Sequence, residues 1–205
     1  NYNFVFHSTT GTYFRWASHD DRCRSTHLES CLHAFKTNPD DVVLVYPKTL
    51  LIDDRGDELG PYDDRLQMDQ ADARHRLVVL ARNWRLCNPV MGLVHRPAAE
   101  RTRLIDTFRG SDIVYLAELA IQGRVIEVPE RLFLRRIHSG SALQGNSTDT
   151  ASWLDPTNRP RRESSSHSTL PILRHLIRSV HDGPEGLGER LTTEMSVAST
   201  KAFYS

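Results

Sequence analysis

No stretch of this chain approaches the roughly 18 consecutive apolar residues that a membrane-spanning helix requires. Cysteine is scarce. Cys23, Cys31 and Cys87 form an odd set without Cys-x-x-Cys spacing, which argues against a zinc site or a disulfide framework. A reducing, cytoplasmic setting follows as the expectation, peripheral to the inner membrane face at most. Net charge is lacking as well: 26 basic and 26 acidic side chains cancel, so broad adhesion to nucleic acid or to anionic lipid is excluded as a main activity. The cluster Arg159, Arg161 and Arg162 is the one local basic exception. No signal peptide precedes the first predicted strand, and no internal repeat is visible. The missing initiator Met fits an excised or truncated segment as well as a processed protein.

What is present reads as a soluble α/β domain with an appendage. The 205 residues are 39% hydrophobic and 25% charged, the proportions of a globular protein. Asn1 to Thr10 reads as the end of a helix closed by Gly11. The aromatic, alternating run Thr12 to Ser18 reads as a strand leading into His19-Asp20-Asp21. Ser25 is placed to cap a helix with Leu28, Leu32 and Phe35 on its apolar stripe, and Cys31 is expected on a buried face. Asn38-Pro39-Asp40-Asp41 ends that helix.

Val42 to Tyr46 is a continuous apolar run, suited to a strand buried on both faces of a mainly parallel sheet. Leu50-Leu51-Ile52 reads as a short strand and Asp54-Arg55-Gly56-Asp57 as a turn. Tyr62 to Gln70 reads as a polar surface loop, and Ala71 to Trp84 as an amphipathic helix. Pro89 to His95 is the next strand, and Pro97 opens a helix at its first turn. Gly110-Ser111-Asp112 leads into a helix through Gln122, followed by Gly123. Val125–Val128 and Leu132–Ile137 read as two closing strands in a mixed sheet. Beyond His138 a polar loop to Ser168 is followed by predicted helices over Leu170–Val180 and Gly188–Phe203. Tyr46, Trp84 and Met91 are assigned to the core. His7, His27, His33, His75 and His95 are assigned to surface or packing positions.

Asp20 and Asp21 stand at the predicted carboxyl edge of a strand, where α/β sheets bind ligands. Paired oxygen ligands suit Mg²⁺ or Mn²⁺; the plainer reading is a strand end followed by a helix start. Asp112 carries two readings as well: a general base for an attacking hydroxyl, or a helix cap beside Ser111. Asn88 either lines a pocket or starts the turn before Pro89.

The stretch Gly11-Thr-Tyr-Phe-Arg-Trp-Ala-Ser-His-Asp-Asp21 resembles a segment of bacterial family 2 glycosyltransferases, and the similarity continues in order. It takes in Asn38-Pro39-Asp40, Val-Val-Leu-Val-Tyr-Pro47, Leu51-Ile52-Asp53-Asp54-Arg55-Gly56, Cys87-Asn88-Pro89-Val90-Met91-Gly92-Leu93, Gly110-Ser111-Asp112 and Val128 to His138. The resemblance implies a GT-A-like mixed sheet flanked by helices over residues 1–138, with the first β-α-β-α half absent, and a loop and helical tail over 139–205. It implies inverting, metal-assisted transfer from a nucleotide-sugar donor to a hydroxyl acceptor: a glycan, a lipid carrier or a small molecule. Asp20 would contact the nucleotide ribose, and Asp21 would coordinate Mg²⁺ or Mn²⁺ with His138 as a further ligand. Arg135 and Arg136 would face the pyrophosphate, and Asp112 would act as base.

Ser111 departs from the family pattern, which has Glu there. Trp153-Leu154-Asp155-Pro156 also resembles a segment that follows the closing strand. Two other readings stand beside this one: a glycosyltransferase-like domain that binds a carbohydrate or partner without turnover, and an HD-type metal phosphohydrolase suggested by His19-Asp20. The latter would be all-helical.

Overall fold

The apolar run at Val42 continues without a break to Ile52 as β3, and nine of its eleven residues are buried. The computed structural model describes residues 2–108 and 110–138 together with Arg174, His175 and Arg178. Its elements are α1 (Tyr2–His7), β1 (Tyr13–Phe14), β2 (Arg22–Cys23), α2 (His27–Thr37), β3 (Val42–Ile52), β4 (Glu58–Tyr62), α3 (Ala73–Asn83), β5 (Leu93–His95), α4 (Arg96–Glu100), α5 (Ser111–Gln122) and β6 (Arg124–Arg136). The strands form one sheet in the order β1-β5-β3-β6-β2, with β4 paired to β3. Only β3 and β6 run parallel. The fold is α/β, with a mixed sheet flanked by helices. None of the described helices is long and apolar enough to cross a membrane.

Burial on both faces explains why β3 lacks alternation. Val42 and Val45 pack with Leu93, Val128, Leu132 and Cys31 of α2 on one side. Leu44 and Tyr46 join the larger core on the other, against α1, α3, α4 and α5. Helix α5 is hydrophobic almost all round and is buried at ten of its twelve positions; Asp112 and Gln122 are the two that emerge. Gly123 then takes extended backbone, because a Cβ there would lie 2.1 Å from the Asp41 carbonyl oxygen and 2.5 Å from Val43 Cγ1. Only a glycine lets β6 begin so close to the start of β3.

Several local expectations give way to tertiary packing. Gly11 is not a helix cap, since α1 ends at His7. The Thr12–Ser18 strand contracts to Tyr13–Phe14, and Arg22–Cys23 pairs with β6 instead. Helix α2 is capped at Thr26, not Ser25, and buries His27 and Cys31 while Leu28 and Leu32 are exposed. Tyr62 to Gln70 is no surface loop: residues 63–68 alternate exposed and buried, and Asp64, Leu66 and Met68 point inward. Asn88–Met91 is a 3-10 turn, so only Leu93–His95 pairs as a strand. The two expected closing strands are one, β6, and Leu50–Ile52 belongs to β3. Trp84 is 38% exposed, outside the core.

The predicted tail lies outside the described residues except at three positions, which are helical. There His175 stacks on Phe108 at 4.5 Å, and its Nδ1 pairs with the Arg103 guanidinium at 2.9 Å. Trp153, the arginine cluster at 159–162 and the Gly188–Phe203 helix lie outside the described residues.

Arg76 of α3 is a buried cation that sequence periodicity did not single out. It donates to the carbonyls of Ala120, Gln70 and Ala71 at 2.6, 2.6 and 2.8 Å. A cation there satisfies the last carbonyls of α5 and opposes the negative end of its dipole. Replacing Arg76 with Met keeps the stem but leaves those carbonyls unpaired. We expect a loss of about 3 kcal/mol in urea unfolding.

Candidate functional site

The aromatic segment that precedes the tandem acids is held by rings, not by a long β-ladder. Trp16 packs edge-on against Tyr2, Phe14 and Tyr115 at 6.0, 5.0 and 5.2 Å, and its indole N–H donates to the Tyr2 carbonyl at 3.2 Å. Beyond Phe14 the chain leaves the sheet, and Ser18 to Asp21 turn across the end of β6. The Arg136 amide donates to Asp21 Oδ1, and the Arg136 Nε donates to the Asp20 carbonyl, both at 2.9 Å. Asp20 accepts from the Ser18 hydroxyl and faces His138 Nε2 at 3.2 Å. The predicted Asp20, Asp21, Arg136 and His138 are therefore one assembly.

Environment separates the two acids. For Asp20, partial burial pushes the pKa up. Hydrogen bonds from Ser18, His138 and its own main chain, with the charge of His19, outweigh this and leave it below the ordinary value. Asp21 is pushed above its ordinary value, first by burial and then by the charge of Asp20, against the opposing Arg136 amide and Arg135 charge. Neighbouring carboxylates displaced in opposite directions are a feature of functional sites.

Arg135 and Arg136 alternate in direction along β6, as strand geometry requires. Arg136 Nη1 binds the carbonyls of Asp53 and Asp54, so this guanidinium holds the β3–β4 turn and the acid loop together. These bonds commit the Arg136 guanidinium to main-chain carbonyls. Asp53 completes the turn by accepting from the amides of Arg55, Gly56 and Asp57 at 2.9, 2.9 and 2.8 Å. Arg135 reaches the other way, to the Leu86 carbonyl at 3.0 Å and to Asn88 Oδ1. Asn88 is buried, follows the left-handed Cys87 (φ 51°), and donates to Asp64.

Asp112 occupies the first turn of α5. The cap residue is Gly110, whose φ of 89° is left-handed. Asp112 is therefore not the cap, although its Oδ1 accepts from the Ile113 amide at 3.0 Å. Tyr2 links this corner to the acid loop. Its hydroxyl is pushed above the usual phenol value first by burial, then by the charges of Asp112, Asp20 and Asp21, while Arg135 pulls the other way. Cys87 feels Asp112, Asp64 and Arg135 in the same manner. Charges from three separate chain segments thus act on one phenol.

No protein-family model matches the chain, and no curated protein is significantly similar to it. Among the described residues, no group of three or more His, Cys, Asp or Glu side chains is disposed to hold a metal ion. His19 and Asp20 lie in a bend, not in the helix that a phosphohydrolase pair would need. An open groove of about 1170 Å³ lies between α2 and residues 124–130. It is at the opposite end of β6 from the acid assembly and contains none of the predicted site residues.

Sequence reasoning missed Tyr2 and Asp64. Nothing in a tyrosine next to the N-terminus announces proximity to Asp112. Asp64 had a faint signal, because Asp64, Leu66 and Met68 alternate like the inward face of an extended segment. Burial raises the Asp64 pKa to about 6, against the opposing hydrogen bonds of Asn88 and Thr49 and the charge of Arg135. The folded protein then binds more protons at this residue than the unfolded chain between about pH 4 and pH 6. Stability falls as pH rises through that window, by about 3 kcal/mol in total. In Asp64→Asn this component of the pH dependence should vanish, as measured by urea unfolding at pH 4.5 and 7.

Proposed function

We propose that this chain carries the cation-binding and acceptor-side part of an inverting glycosyltransferase. The reaction moves a sugar from a nucleotide-sugar donor to the hydroxyl of a glycan, a lipid carrier or a small molecule. What supports this reading is the hydrogen-bonded assembly of Asp20, Asp21, Arg136 and His138, together with the charges of Asp112, Asp20, Asp21 and Arg135 that all act on the Tyr2 hydroxyl. The resemblance requires that the acids at the end of the aromatic segment and the Gly-Ser-Asp corner share one site. A GT-A arrangement of the sheet belongs to the same proposal, as does a cytoplasmic setting, which the free cysteines suit.

The donor set suits a hard divalent cation by its chemistry. Asp20 and Asp21 stand side by side at the end of β6, and the charge of Arg135 acts on both Asp21 and the buried Asp64. Asp21, partly desolvated beside Asp20, gains from a neighbouring cation. The protein groups alone form an incomplete shell, as expected where phosphate oxygens and water supply the rest. Asp21 and His138 would hold Mg²⁺ or Mn²⁺, which when bound offsets the negative charge of the departing diphosphate.

The remaining work falls to the chain's own side chains. Asp20 would orient the ribose, and Arg135 would face the pyrophosphate. Asp112 takes the proton of the acceptor hydroxyl as its oxygen bonds to the anomeric carbon. The bond to the diphosphate oxygen breaks on the opposite face, and its electron pair leaves with the nucleoside diphosphate. The configuration inverts, and Asp112 returns its proton to water.

A second reading, a binding domain without turnover, is favoured by one observation: the Asp112 carboxylate already accepts from the Ile113 amide. Two variants of the full-length protein separate the readings. Asp21→Ala should abolish Mn²⁺-dependent binding of the donor in isothermal titration; unchanged affinity removes the cation role. Asp112→Asn should keep donor affinity and lower transfer by roughly a hundredfold. Transfer near the wild-type rate would return Asp112 to a purely structural position.

A further inference from the structure

Asp64 is 4% exposed and Asn88 is 2% exposed, and between them they make a directional contact. Asp64 Oδ1 accepts from the Asn88 main-chain amide at 3.2 Å, and Oδ2 accepts from Asn88 Nδ2 at 3.1 Å and from the Thr49 hydroxyl at 3.3 Å. A carboxamide has two unlike ends: the nitrogen must face an acceptor and the oxygen a donor. With Nδ2 committed to Asp64, Asn88 Oδ1 is turned onto the Arg135 guanidinium, whose Nη1 also holds the Leu86 carbonyl at 3.0 Å. Arg135 in turn acts electrostatically on Tyr2, Asp21, Asp64 and Cys87.

We infer that Asp64 is a positioning residue for Arg135: it orients the Asn88 amide, which then fixes the guanidinium as the cationic wall of the donor site. The inference rests on the donor-site reading above. Asp64 itself touches no donor. Its carboxylate supplies the buried counter-charge one amide away, and breaking one member of such a network leaves the others unpaired.

The polarity of the amide makes a reciprocal exchange informative. In Asp64→Asn, two amide nitrogens confront each other. Asn88 must flip, and its donors then face Arg135. In Asn88→Asp, two carboxylates confront each other. In the double variant Asp64→Asn/Asn88→Asp, the new amide at 64 donates to the new carboxylate at 88. Its oxygen still accepts from the main-chain amide of residue 88, and the Thr49 hydroxyl can rotate to accept. The carboxylate then meets Arg135 directly.

Two readouts at pH 7.5 on the full-length protein test the inference. One is the ¹⁵N–¹H guanidinium resonances of Arg135, assigned with Arg135→Lys. The other is titration with Mn²⁺ plus UDP, GDP or dTDP. Each single variant should lose the restrained Arg135 signal and bind the nucleotide at least about tenfold more weakly, and the double variant should regain both. Singles that leave both readouts unchanged, or a double variant as impaired as the singles, overturn the inference. Circular dichroism distinguishes a lost signal from a lost fold, and a misfolded single leaves the rescue in the double variant as the deciding result. Wild-type protein that binds none of the three nucleotides defeats the donor reading, and the Arg135 resonances then decide the relay alone.

Discussion

The parallel pairing of β3 with β6 is the constraint on which the rest of the molecule depends. It runs from Val42 opposite Arg124 to Ile52 opposite Arg136, with register shifts near both Val42 and Pro47. Parallel neighbours need a long connection, and here it contains β4, α3, β5, α4 and α5. The strands β4 and β5 join the sheet beside β3, and the helices pack on it, before β6 returns. Gly123 permits the return, because no side chain fits between the end of α5 and Asp41. The far ends of the two strands then finish side by side, so the β3–β4 turn and the Arg135–His138 segment share one edge.

That edge is where the chemistry gathers. Arg136 ties the acid loop and the hairpin turn to β6 with both main-chain and side-chain bonds. Arg135, one residue earlier and facing the other way, joins the 3-10 turn and the buried Asp64. The strand end therefore separates two tasks that adjacent arginines share in sequence: one organises main chain, the other stands among the carboxylates. Aromatic packing of Tyr2, Phe14 and Trp16 sets where the acid loop leaves the sheet. A wrong departure angle there would carry Asp20 and Asp21 away from His138.

Much of the α/β pattern was legible from local signals. The C-terminal end of α2, the bounds of α5, the turn at Asp54–Asp57 and the two-faced burial of Val42–Tyr46 follow from periodicity and turn chemistry over a few residues. Four of the candidate site residues, Asp20, Asp21, Arg136 and His138, are linked in one chain of hydrogen bonds. Their clustering itself was not legible, since Asp20 and His138 lie 118 residues apart. Helix α2 illustrates the limit of periodicity. The set His27, Cys31 and Phe35 (i, i+4, i+8) fits a helix face as well as Leu28, Leu32 and Phe35 (i, i+4, i+7), and only the sheet face against which α2 rests decided between them.

By itself, the sequence determined the menu of elements, the absence of a long apolar span and the residue types available for chemistry. These depend on interactions between near neighbours. Tertiary structure alone decided that Asp64 is buried, that Arg135 and Arg136 have different partners, and that Tyr2 lies within the field of Asp112. Those facts arise from contacts across tens of residues, where solvent exclusion and strand register, not local propensity, set the energy of each charged group.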